Sequence, residues 1–181
     1  MNNKIIKLTQ MGVLCAVSIV LVFLIRIPLI PSVGFLQYDM ADVPIIICSL
    51  LFGTVSGLIV LLATSFIQAF MFGGDGWVGL LMHFFASGLW VLVTGLVYSR
   101  NKTIKNAVIG MALGSIAMTA IMIPLNYIFT VNFYGIPVEV VSNLMLPGII
   151  PFNLLKGLIN SIISIALFKA IRPFVNRYID G

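Results

Sequence analysis

Between Asp42 and Asp75 the chain carries no charged side chain at all, and this is one of several such stretches. Predominantly apolar runs cover approximately residues 8–26, 43–72, 77–98, 106–131 and 147–171. A water-soluble domain keeps about 25% of its residues charged so that its surface stays wet. Here 8% are charged and 61% hydrophobic, with a mean hydropathy of +1.18. So few polar side chains cannot coat a water-facing fold, and the solvent must be lipid. Membrane barrels read as alternating segments of about ten residues. These runs are long and unalternating, which leaves the α-helix as the way to satisfy every backbone N–H and C=O inside a bilayer.

The net charge of +5 raises the question of nucleic acid. No basic stripe with interleaved aromatics is present, and the cations sit in short loops and at the termini. They read as topology signals rather than as a polyanion-binding patch. Cys15 and Cys48 both fall inside apolar runs without CxxC spacing, as small buried hydrophobes do. Lysines precede the first run, as in a signal peptide. That run ends at Arg26 and Pro28 with no A-x-A-like cleavage site, so it reads as the first membrane helix.

The run 43–72 is too long for one crossing, since about 20 residues span a bilayer. Its middle, Gly53-Thr54-Val55-Ser56-Gly57, suits either a tight turn or the centre of one long tilted helix. Charge decides. Cytoplasmic ends are enriched in Lys and Arg, so Lys4 and Lys7 place the N-terminus inside. Arg100, Lys102 and Lys105, then Lys169, Arg172 and Arg177, should lie inside too. Six spans satisfy every cluster, whereas five leave the Arg100 loop outside. The expectation is a single all-α integral membrane domain over 1–181, one compact bundle with both termini cytoplasmic. Its helices are expected at approximately 8–26, 43–53, 57–72, 77–98, 106–131 and 147–171. The outer loops 27–42, 73–76 and 132–146 then hold Asp39, Asp42, Asp75 and Glu139, with Arg26 at the edge. Loop 27–42 is long and proline-punctuated, which makes it a candidate lid.

Polar side chains within membrane helices need a partner, a cavity or a purpose. Lys156 and Asn153 lie three residues apart, on one face near the outer end of the last helix. Asn126 follows Pro124, whose ring removes the hydrogen bond to carbonyl 120 and favours a kink. Gln68 and His83 sit near the outer ends of the third and fourth helices. Each has a plainer reading. Lys156 could snorkel to the surface, and the amides could be interhelical glue. His83 has no metal-ligand spacing around it and could be structural. Their agreement in depth, beneath the long loop, favours a site. With Phe35, Tyr38, Trp77 and Tyr127 as candidate aromatics, such a cavity suits a flat, mostly uncharged ligand with a hydrogen-bonding edge. Gly12 and Ala16 on the first helix form a small-xxx-small pair that admits another helix closely, within the chain or from a partner.

No G-x-x-x-x-G-K-[ST] is present, and no duplicated halves, so energy must come from a partner or from the ligand gradient. A membrane enzyme would need paired carboxylates, a metal cluster or a nucleophile with a base. Asp39-x-x-Asp42 reads better as the start of the second helix, with a carboxylate capping it. An assembly subunit would leave the polar cluster unexplained.

The stretches LQYDMADVPIIICSLLFGTVSGL, GWVGLLMHFFASGLWVLVTGLVY, AMTAIMIPLNYIF and GIIPFNLLKGLINSII resemble the riboflavin-specific S components (RibU family) of energy-coupling factor transporters. The resemblance spans roughly residues 8–171. It implies a non-enzymatic, six-helix subunit of a bacterial cell membrane that captures riboflavin outside, with no cofactor. It further implies an EcfT-type membrane scaffold and two cytoplasmic ATPase subunits as partners, and toppling of the S component to release ligand. Ligand contacts are implied at Asn126, Asn153 and Lys156, with Leu36, Tyr38 and Asp39 supplied by the first loop. The family's first helix meets the scaffold through an Ala-xxx-Ala pair, where this chain has Gly12 and Ala16.

Overall fold

A computed structural model describes the backbone of residues 3–33, 36–71 and 76–179. Phe35 and Asp75 lie outside the described residues, as does the side chain of Arg177. Among the described residues the fold is helical apart from one small strap and short connections. Helix α1 (Asn3–Leu24) leads into a two-stranded antiparallel strap, β1 (Ile27–Pro28) and β2 (Gln37–Tyr38), with a 3-10 turn at Pro31–Val33. Ile27 faces Tyr38, and Pro28 faces Gln37. Then follow α2 (Asp42–Phe52), α3 (Thr54–Met71), α4 (Gly76–Arg100) and α5 (Ile104–Leu125). Beyond Leu125 the helix widens into a π-turn, Asn126–Thr130. The last stretch is nearly continuous: α6 (Val138–Leu144), a second π-turn (Met145–Ile149) and α7 (Ile150–Ile179).

Among the described residues, five helices are long and apolar enough to cross a membrane. The sixth expected span is α2, and it is short. Its 11 residues reach roughly 16 Å at 1.5 Å per residue, about half a bilayer core. The strap supplies the outer half of that path. Helix α2 is also central, packed against α1, α3, α4 and α7, with every residue from Asp42 to Leu50 buried.

The turn between α2 and α3 is tighter than the five-residue cluster suggested. Gly53 alone separates the helices, at φ 96°, a conformation open to glycine and unfavourable for a side chain. Four residues on, a Cβ on Gly57 would sit 2.7 Å from the Ser49 Cβ. Ser49 and Gly57 are equidistant from Gly53, so the two helices run back along each other as a hairpin. The helix pair α4–α5 forms the largest contact, with α3 on α4 and α7 on α5.

This topology sorts the charges. Lys7 donates from its Nζ to the Phe52 carbonyl at 3.1 Å, which sets the start of α1 beside the α2–α3 turn. Arg172 donates to the Lys102 carbonyl at 3.2 Å, which sets the end of α7 beside the α4–α5 loop. The hairpin packing puts both pairs at one end of the bundle. Asp39 and Asp42 lie towards the other end.

Candidate functional site

At that other end the strap roofs a cavity of about 520 Å³. The strap contributes Arg26, Leu36, Gln37 and Asp39, and α3 contributes Ser65 and Gln68. Met82, His83 and Ser87 come from α4, Met118, Met122, Asn126 and Thr130 from α5 and its π-turn, and Phe152, Asn153 and Lys156 from α7. Tyr134 and Ile136 close it from the connection to α6.

A chain of buried polar groups crosses the cavity. Lys156 Nζ lies 3.1 Å from Asp39 Oδ2 and 3.1 Å from Asp42 Oδ2, so one ammonium stands between two carboxylates. The other oxygen of Asp42 is 3.2 Å from His83 Nε2, and His83 Nδ1 is 3.0 Å from Ser65 Oγ. Five elements are thereby joined: α3, α4, α2, α7 and the strap. Lys156 does not snorkel, and His83 does have partners; the distance in sequence between His83 and Asp42 had concealed them. Asp42 is the first residue of α2 and makes no side-chain cap on it; Asp39 Oδ1 instead accepts from the Ala41 N–H at 3.0 Å. An ammonium withdrawn from water among carboxylates holds only while all partners are present.

The two asparagines are held by the backbone irregularities beside them. Pro124 lacks an N–H, and the π-turn begins two residues later at Asn126. Asn126 Nδ2 donates to the Met122 carbonyl at 2.8 Å, and its Oδ1 accepts from Thr130 Oγ1 at 3.1 Å. Asn153 follows the second π-turn and donates to the Ile149 carbonyl at 2.8 Å. π-Turns inside α-helices recur at functional sites. Each amide is thus fixed in orientation, with hydrogen-bonding capacity left towards the cavity. Gln68 Oε1 is buried and has no partner among the described residues.

Of the residues expected at the site, Leu36, Asp39, Gln68, His83, Asn126, Asn153 and Lys156 line this one cavity. Tyr38 does not. Its hydroxyl turns inward and donates to Asn160 Oδ1 at 2.7 Å, while Asn160 Nδ2 donates to the Asp39 carbonyl at 3.3 Å. Tyr127 packs away from the cavity in an apolar cluster with Val141, Met145 and Ile149. Trp77 is exposed, its ring edge-on to Phe70 at 5.0 Å. The aromatic lining comes instead from Tyr134 and Phe152. Asn160 was legible, one turn beyond Lys156 on the same face. Ser65 and Ser87 were not, since serines are ordinary in membrane helices. Gly12 and Ala16 both lie exposed on α1, and nothing stands within 4 Å of a Cβ built on Gly12.

A bundle of membrane-crossing helices that encloses a mixed polar cavity under a strap is a membrane-embedded small-ligand binding protein. The chain belongs to the family of ECF transporter substrate-specific components, whose profile matches residues 6–168. It is 33% identical over 178 residues to the riboflavin transporter RibU of Streptococcus thermophilus, covering 93% of this chain and 84% of that one. It is 31% identical to RibU of Staphylococcus aureus, covering 97% and 94%. A solved S component of a bacterial ECF transporter superposes with a TM-score of 0.81 at 32% identity, covering 97% of this chain and 99% of the other.

Proposed function

We propose that this protein is the riboflavin-capturing subunit of an ECF-type uptake system in a bacterial plasma membrane. The observation that carries this reading is the pair of backbone-fixed amides, Asn126 and Asn153, in a cavity with Lys156, within a chain similar along nearly its whole length to riboflavin transporters. The volume falls within the roughly 300–1,000 Å³ typical of small-molecule sites. Amides both donate and accept, as the imide edge of a flavin requires, and Met118, Met122 and Phe152 offer apolar faces to a flat ring.

The cationic end of the bundle is the cytoplasmic one by the positive-inside rule, so both termini lie inside and the strap faces outside. Leu36, Gln68 and His83 complete the binding surface, and Asp39 and Asp42 position Lys156. Delivery requires an EcfT-type scaffold and two ATPase subunits, since the chain has no P-loop of its own. The exposed Gly12 and Ala16 on α1 form the scaffold-facing surface, because small residues let a partner helix approach closely.

The test is direct. Detergent-purified protein should carry a visible flavin band or quench added riboflavin fluorescence saturably at sub-micromolar ligand. A demonstrably folded sample that leaves riboflavin fluorescence unchanged would move the substrate to another small heterocycle.

A further inference from the structure

A second groove lies at the cationic end, far from the ligand cavity. There Lys4, Lys7 and Leu8 of α1 face Phe52, Val55 and Ile59 of the α2–α3 hairpin across a space of about 490 Å³. Its chemistry changes along its length. Lys7 Nζ donates to the Phe52 carbonyl at 3.1 Å, which anchors the ammonium at the level of the turn. An ammonium has three donors, and no carboxylate pairs with Lys7 among the described residues. Lys4 stands one turn earlier on the same helix face. Asp39 and Asp42, which pair with Lys156, lie at the opposite end. From the lysines towards the bilayer centre the walls turn apolar and open: Leu8 is 69% exposed, Val55 70% and Ile59 56%.

We infer that this groove binds an anionic phospholipid, its phosphate against Lys4 and Lys7 and an acyl chain along Leu8, Val55 and Ile59. Cation and apolar wall follow one another in the order of a lipid's headgroup and chain. A small soluble anion would leave the apolar walls uncovered. A zwitterionic lipid brings its own cation and gains less from two ammonium groups. Basic residues at a membrane surface attract anionic headgroups, with about a fivefold gain for each lysine.

Native mass spectrometry of the full chain, equilibrated in detergent with equal dioleoyl phosphatidylglycerol and dioleoyl phosphatidylcholine, tests this. The unmodified chain should retain the glycerol lipid over the choline lipid by roughly tenfold or more. Lys4→Gln/Lys7→Gln should lose most of that preference. Lys102→Gln/Lys105→Gln, which removes two cations from the same end outside the groove, should keep it. Circular dichroism and a single size-exclusion peak establish that each variant is folded. Should the first pair fail that check, Ile59→Trp fills the groove with both lysines in place and should also lower retention. Equal retention of the two lipids by the unmodified chain overturns the proposal. So does an equal loss in both lysine pairs, which would mean diffuse surface charge, or displacement of the lipid by inorganic phosphate alone.

Discussion

Lys156 and Asn153 are three residues apart on one helix, yet their surroundings assign them different duties. Among the described residues the Asn153 side chain is tied to the carbonyl of Ile149 alone, so on the proposed reading Asn153→Ala should remove ligand contacts and little else. Riboflavin affinity should fall by about 1–3 kcal/mol, the usual cost of stranding a hydrogen-bond partner, with the thermal midpoint of ligand-free protein nearly unchanged. Lys156 stands between two buried carboxylates and is paired with both. Lys156→Met should therefore destabilise the empty protein as well, by about 3–5 kcal/mol. Thermal unfolding in detergent, with and without riboflavin, separates the two; equal midpoints for both variants would mean that the ion cluster is not a structural support. Much of this site was legible beforehand, because Asn126, Asn153 and Lys156 are out of place in lipid and share one depth. The Asp42–His83 bond was not, since nothing in either stretch of sequence points to the other. Tyr38 and Tyr127 were misplaced for a related reason: composition locates an aromatic near a site but not the direction of its ring.

At the level of elements, the hairpin of α2 and α3 followed from charge parity and two glycines, whereas the π-turns had only prolines as hints, Pro124 before the first and Pro147 inside the second. The second π-turn has a mechanical role with the strap. Val33 is fully buried, and a Cβ built on Gly148 would collide with its Cγ1. The strap's other end is stitched down by Ser18 Oγ donating to the Ala41 carbonyl and by Asn160 donating to that of Asp39. Undocking Val33 should therefore loosen the roof while leaving Lys156 in place. Gly148→Ala should lift the strap and speed riboflavin release roughly tenfold, overpacking costing about 1–3 kcal/mol. Val33→Ala in the same chain removes the colliding methyls and should restore slow release. Stopped-flow flavin fluorescence reads both rates, and a double variant as fast as Gly148→Ala alone would rule out this seat as the latch.

Across the whole molecule, the ligand cavity and the exposed small-residue face of α1 are separate surfaces. The α4–α5–α7 core is locked by close approaches such as Gly157 on Ser115, where a Cβ would overlap the hydroxyl. Helix α1 buries the smallest share of its apolar length among the membrane-crossing helices. Gly12→Leu should accordingly leave riboflavin titrations unchanged and abolish most uptake in reconstituted full complex. Loss of binding in a folded Gly12→Leu sample would show that α1 supports the cavity after all.

Helix α2 stops half-way, and Asp42, its first residue, braces Lys156 and His83 of the cavity lining from behind. Where a full-length helix would have continued, the thinner strap takes over and leaves room beneath it for the cavity. A molecule bound in that cavity would act as a removable building block, bracing the strap against the helices that line it. Occupancy and rigidity would then be one variable, so loaded and empty subunits should differ in stiffness as well as in content. Anything that distinguishes a stiff bundle from a slack one can tell a full carrier from an empty one without touching the cargo.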